Sequence, residues 1–223
     1  MKKYVNLFVF VFMVGTCFSQ GKAQTKSAVS YKNPVVDIAM PDPTVIKAAD
    51  GYFYVYATES TRNVPIMKSK DLVQWTYCNT AFTNKTRPRF EPKAGIWAPD
   101  INYINNKYVL YYAMSVWGGE QTCGIGVATA DSPQGPFTDH GKMFRSNEIG
   151  VQNSIDPSFL QYEGRNYLVW GSFRGIYVIE LTEDGLSLKP GAEKKRIAGT
   201  AFEAAHIHKH GDYYYMFADR KSV

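Results

Sequence analysis

Four stretches of this chain repeat one pattern, and that repeat constrains the fold more than any other feature. Residues 42–59 read "DPTVIKAADGYFYVYATE": an acid, a short apolar strand, a turn at Asp50 and Gly51, then a strand of aromatics. The same order returns in "APDINYINNKYVLYYAMS" (98–115), "DPSFLQYEGRNYLVWGS" (156–172) and "EAAHIHKHGDYYYMFAD" (203–219). The leading acids Asp42, Asp100, Asp156 and Glu203 stand 58, 56 and 47 residues apart, a period in the range of propeller blades. Between the copies, "VPIMKSKDLVQWTYCNTAF", "IGVATADSPQGPFTDHGKMF" and "IYVIELTEDGLSLKPGAEKKRIAG" each read as strand, polar turn and strand. One period therefore holds four strands. In a propeller the inner strands converge on an axis, so acids at the head of each inner strand meet in one pocket. The fold class expected is all-β.

Composition agrees with strands. Aromatic residues make up 15% of the chain, with 16 Tyr and 13 Phe, and aromatic side chains favour pleated, half-buried surfaces. No stretch keeps a helical period over three turns. Of the 4 Trp, Trp75 and Trp170 read as core. The N-terminal residues "MKKYVNLFVFVFMVGTCFSQGKA" read as a secretory signal over 1–23, followed by a linker over 24–32 and the propeller domain over 33–223. No segment approaches the ~20 apolar residues that a membrane span requires. Export to the periplasm or exterior is expected, and Cys17 in "VGTCFS" offers a site for a lipid anchor. Without Lys2, Lys3 and Lys22 the formal charge falls from +5 to +2, which argues against nucleic acid or an anionic membrane as partner. Cys78 and Cys123 remain after the signal, either as one disulfide or as two free thiols.

Carboxylates collected in one pocket suit glycosidic bond cleavage, where one protonates the leaving oxygen and another activates water or attacks. A third acid nearby raises the pKa of the proton donor by like-charge repulsion. An Asp before Pro can also simply shape a turn. The recurrence of Asp42, Asp156 and Glu203 at the heads of repeats favours the catalytic reading, and Asp100 shares the repeat position.

"PDPTVI", "GIWAPDINY", "NSIDPSFL", "WGSFRGIY" and "FEAAHIHKHGDYYYMFA", in this order over residues 33–218, resemble glycoside hydrolase family 43, and within it the arabinan endo-1,5-α-L-arabinosidase group. The resemblance implies a five-bladed propeller, of which about three and a half blades fit into this chain. It implies inverting hydrolysis with Asp42 as general base, Asp156 as the residue that tunes and orients, and Glu203 as general acid. Asp100 is then a structural or substrate-orienting residue. Trp97 and Trp117 match positions where such enzymes hold rings against the sugar, and Asn153 and Ser172 flank the motifs as candidate partners of sugar hydroxyls. Pro41 stands where many endo-acting members carry a His. No cofactor is implied for the chemistry, but a structural calcium or sodium ion is, with ligands outside this chain.

His206, His208 and His210 alternate along one strand face, but three imidazoles on one short strand do not make a tetrahedral site, so no metal is assigned to them. The expected partner is plant arabinan or its oligosaccharides, acted on by a monomer. Two other readings stay open: a β-xylosidase or α-L-arabinofuranosidase on arabinoxylan, and a non-catalytic glycan-binding or inactive propeller fragment.

Overall fold

Each repeat carries a residue with left-handed backbone just before its inner strand or within the first few residues of it. Asp42 (φ +48°), Ala98 (+39°), Asp156 (+57°) and Ala204 (+51°) all occupy this region, which costs an L-residue roughly 1–3 kcal/mol and persists only where its surroundings fix it. Pro43, Pro99 and Pro157 follow the first three. This backbone mark shows the register of the repeat. It places Asp42 and Asp156 at the same position but puts Ala98 and Ala204, not Asp100 and Glu203, beside them. Reading each repeat from its leading acid shifted two of the four copies: Asp100 lies two residues further along its strand, and Glu203 one residue earlier.

The structure is a computed structural model that describes residues 30–220; the expected signal, Cys17 and most of the linker lie outside the described residues. Three four-stranded antiparallel sheets follow in order. The first comprises β1 (Thr44–Lys47), β2 (Phe53–Tyr56), β3 (Pro65–Ser69) and β4 (Thr76–Thr80), and the second β5 (Gly95–Ile104), β6 (Lys107–Ser115), β7 (Gly124–Ala130) and β8 (Thr138–Arg145). A single helical turn, α1 (Ser146–Ile149), leads to the third sheet of β9 (Ser158–Tyr162), β10 (Arg165–Trp170), β11 (Ile176–Glu180) and β12 (Lys195–Ala198). A hairpin of β13 (Phe202–His210) and β14 (Tyr213–Arg220) follows. Each four-stranded sheet runs up and down in sequence order, the layout of a propeller blade. The all-β expectation and the four strands per period match this arrangement.

The turns explain the strand boundaries. After β1 the chain reverses at Asp50 and Gly51: the Tyr52 N–H donates to Asp50 Oδ1 at 3.0 Å, and Gly51 adopts φ +82°. Asn105 and Asn106 take left-handed conformations at the equivalent turn between β5 and β6, as Asn tolerates better than most residues.

β6 shows why the return strands are so apolar. Leu110, Tyr112 and Met114 pack with Tyr54, Tyr56, Ile66 and Phe82 of the first-sheet region. Val109 and Tyr111, on the opposite face, pack with Leu168, Trp170 and Ile179 of the third sheet. A strand covered on both faces has no polar alternation. Tyrosines serve here because their hydroxyls find partners at the seams: Tyr111 donates to the Gly185 carbonyl at 2.8 Å and Tyr112 to Asp139 at 2.6 Å. Trp170 is fully buried, with its indole N–H on Ser154 Oγ. Trp75 corrects the core expectation: it is half-buried, and its N–H closes a local turn onto Leu72. Cys78 and Cys123 are free thiols, not a disulfide.

Candidate active site

The heads of the inner strands open into one pocket of about 1160 Å³, lined by residues from all three sheets and the hairpin. Asp42, Asp156 and Glu203 all line it, as do Asp100, Trp97, Trp117, Asn153 and Ser172. Residues far apart in sequence therefore share one cavity.

The three carboxylates are held differently. Asp42 is exposed, and Thr58 donates its hydroxyl to Asp42 Oδ2 at 2.6 Å. Glu203 is half-buried and pairs with Ser172 as an isolated antiparallel bridge, with the Ser172 hydroxyl donating to Glu203 Oε2 at 2.8 Å. Asp156 is pushed up to about 7 by its burial first and then by the charges of Glu203 and Asp42, against the opposing effect of the Ala204 N–H. A carboxyl with neighbours of like charge holds its proton into the neutral range, which makes this pocket a place where protons can be exchanged near pH 7.

Asp100 sits deeper and is committed to the frame. Its Oδ2 accepts the Phe159 N–H and the Asn102 side-chain amide, both at 2.7 Å, and its Oδ1 accepts the Thr44 hydroxyl at 3.4 Å. Those donors come from β9, β5 and β1, so one carboxylate ties the inner strands of three sheets together. Burial raises the Asp100 pKa, opposed by these donors and by the nearby His206. In the corrected register its counterparts are Thr44, Ser158 and His206, and the last two meet with Ser158 Oγ 3.3 Å from His206 Nδ1. Polar residues thus recur two positions along each inner strand from its left-handed residue.

The aromatic rim is built from Trp97 and Trp117, whose ring centroids lie 5.3 Å apart at 51°. Trp117 is 93% exposed, an unusual position for so large an apolar ring and a surface on which the C–H face of a sugar can rest. Trp97 is one residue before the left-handed Ala98, the position that Glu203 occupies in its own repeat. Beneath it the buried Glu59 carboxylate receives the Arg87 guanidinium and the Ile96 and Asn63 N–H groups. Burial pushes Glu59 up, but these donors outweigh it and hold it below the ordinary carboxylate range.

Ser172 is buried at 2% exposure, and its carbonyl accepts the Asn153 side-chain amide at 3.0 Å. Both residues stand behind Glu203 as a brace. Thr58 and Glu120 line the pocket as well and were missed by reading the sequence. Glu120 accepts from Arg174 at 2.8 Å and from Gln152 at 2.6 Å, pinning the loop after Trp117 to the third sheet. A Thr after a strand and a Glu in a Gly-rich loop carry no local sign of such roles. Among the described residues no group of three or more His, Cys, Asp and Glu side chains could hold a metal ion. The cation implied by the resemblance thus finds no donor set among the described residues.

Blade-like sheets bring several carboxylates and an aromatic rim into one pocket, and glycosidic bond cleavage calls for paired carboxylates of this kind. The family model for glycosyl hydrolases family 43 matches residues 31–222, and the chain belongs to that family. An extracellular endo-α-(1→5)-L-arabinanase of Bacillus subtilis is 35% identical over 189 residues, covering 78% of this chain and 57% of that protein. Among solved structures, an α-L-arabinanase of Cellvibrio cellulosa superposes with a TM-score of 0.73 at 27% identity, over 83% of this chain and 66% of that one. An exo-1,5-α-L-arabinanase from a bovine ruminal metagenomic library gives 0.71 at 29% identity, over 87% and 69%. The chain thus spans little more than half the length of the curated relatives it matches.

Proposed function

We propose that this protein is an exported glycosidase that hydrolyses α-1,5-linked arabinan with inversion, on a five-bladed propeller of which this chain holds about three and a half blades. The observation that carries the reading is the Asp42, Asp156 and Glu203 trio in one pocket, with Asp156 raised into the neutral range by its burial and then by its two partners. The naming of the relatives as arabinanases supports the choice of sugar, and the extracellular relative supports export. Among the described residues no helix is long and apolar enough to cross a membrane.

In this reading Asp42 takes a proton from water, whose oxygen attacks the anomeric carbon on the face opposite the leaving group. Glu203 gives its proton to the departing glycosidic oxygen as that bond breaks. The product sugar has the opposite anomeric configuration. Asp156, which keeps its proton near pH 7, stands beside Glu203 and serves to supply the proton that acid catalysis needs. Trp117 and Trp97 supply the apolar face for the sugar ring.

The test is incubation with linear 1,5-arabinan, arabinoxylan and aryl glycosides, followed by analysis of released sugars. Release from 1,5-arabinan above the others is expected. Release from arabinoxylan or aryl xylosides alone would move the substrate to xylan, and a folded chain that releases nothing would be a binding module.

A further inference from the structure

Three of the hydrogen bonds that Thr58 makes together leave its side chain one orientation. Its backbone N–H donates to the Pro41 carbonyl at 2.9 Å. Its Oγ1 accepts the Ala98 N–H at 2.6 Å and donates to Asp42 Oδ2 at 2.6 Å. A backbone N–H can only donate and an ionised carboxylate can only accept. The hydroxyl proton must therefore point at Asp42, and the Ala98 amide, on the neighbouring sheet, sets that direction.

Asp42 needs such a guide. It stands in left-handed backbone between Pro41 and Pro43, exposed to the pocket. Neither proline offers a backbone N–H to the carboxylate. Among the described residues Thr58 is the hydrogen-bond donor to the Asp42 side chain. With Oδ2 turned to Thr58, Oδ1 is the oxygen left for a water.

We propose that Thr58 is a positioning residue for Asp42: the Ala98 N–H, the Thr58 hydroxyl and Asp42 Oδ2 form a relay across two sheets that fixes the carboxylate to aim at water. This rests on Asp42 being the base. A base held within hydrogen-bond reach of the proton it takes loses rate steeply when misplaced, by ~100-fold for an error of about 1 Å.

The experiment compares crystal structures, thermal midpoints and kinetics on linear 1,5-arabinan for the unaltered chain and for Thr58→Val, Thr58→Ala, Thr58→Ser and Asp42→Asn. In Thr58→Val and Thr58→Ala the Asp42 carboxylate is expected to turn or to split between orientations. kcat is expected to fall by ~10- to 100-fold with KM changed less than about threefold, and Thr58→Ser should restore both. An Asp42 carboxylate unmoved in both Thr58→Val and Thr58→Ala overturns the proposal whatever the activity. So does an unchanged kcat in these variants when Asp42→Asn is inactive. If Asp42→Asn keeps full activity, Asp42 is not the base and the functional reading fails, while the crystal structures still decide whether Thr58 orients it.

Discussion

The Ser172 hydroxyl donates to Glu203 Oε2 across the seam between the third sheet and the following hairpin, at 2.8 Å. That bond occupies Oε2 and leaves Oε1 as the oxygen that, in the proposed role of Glu203, carries a proton toward a leaving group. Asn153 in turn braces Ser172 through its carbonyl, so the acid is held by two layers of polar contacts.

Ser172→Ala should therefore act on chemistry more than on folding. A hydrogen bond to a neutral group contributes about 0.5–1.5 kcal/mol, so kcat/KM is expected to fall by ~2- to 10-fold. The lost hydroxyl leaves no cavity larger than one oxygen, and the thermal midpoint should move by only a few degrees. Steady-state kinetics beside a melting curve checks both. A fall in stability without a fall in kcat would mean that Ser172 serves the fold alone.

Asp156 should make stability depend on pH. Its ordinary value is 3.8, and in the folded chain it is pushed up to about 7. Between those values the folded state binds more protons than the unfolded one, so stability declines as pH rises through this window. Below pH 3.8 both forms are protonated and the contribution is level. Asp156→Asn removes the titration, so its unfolding midpoint in urea, less that of the unaltered chain, should grow from pH 5 to pH 8. A constant difference would show that Asp156 does not titrate there. The same variant should lose activity, because residue 156 can no longer pass a proton to Glu203.

Asp100 is expected to be a strut. Asp100→Ala strands the Phe159 N–H, the Asn102 amide and the Thr44 hydroxyl, at about 1–3 kcal/mol for each buried group left unsatisfied. Its thermal midpoint should fall by several degrees. Asp100→Asn keeps one accepting oxygen and should fall by less. Activity should decline in parallel, since Thr44 lies two residues from Asp42 and Phe159 three from Asp156. Full stability in Asp100→Ala would contradict this assignment and favour the substrate-orienting alternative that the resemblance also implies.

The repeat made the sheets and the shared pocket legible, because a period of four strands leaves a regular trace in apolar runs and turns. It misaligned two copies because acids were taken as the mark. The prolines were the better signal: Pro43, Pro99 and Pro157 each follow a left-handed residue, and aligning them puts Ala98, not Asp100, opposite Asp42 and Asp156. Asp100 then reads as an inward residue two positions on, the counterpart of Thr44 and Ser158. Thr58 left no trace. Its role comes from the neighbouring sheet, through an Ala98 N–H that approaches only when the sheets pack. Ser172 was found through its motif, but its partner was not, since the bridge to Glu203 joins residues 31 positions apart. Trp75 looked like core because Trp usually is; its place at an outer turn depends on a bond to Leu72 that no periodicity reports.

The most direct measurement follows the anomeric proton of the first sugar released from linear α-1,5-arabinan by NMR, for the unaltered chain and for Asp42→Ala and Glu203→Ala. The β-anomer should appear first and mutarotate, with each substitution lowering the initial rate by ~100-fold or more while the fold persists. An α-anomer formed first, or a rate that survives the loss of either carboxylate, would contradict the pairing of Asp42 and Glu203 as base and acid.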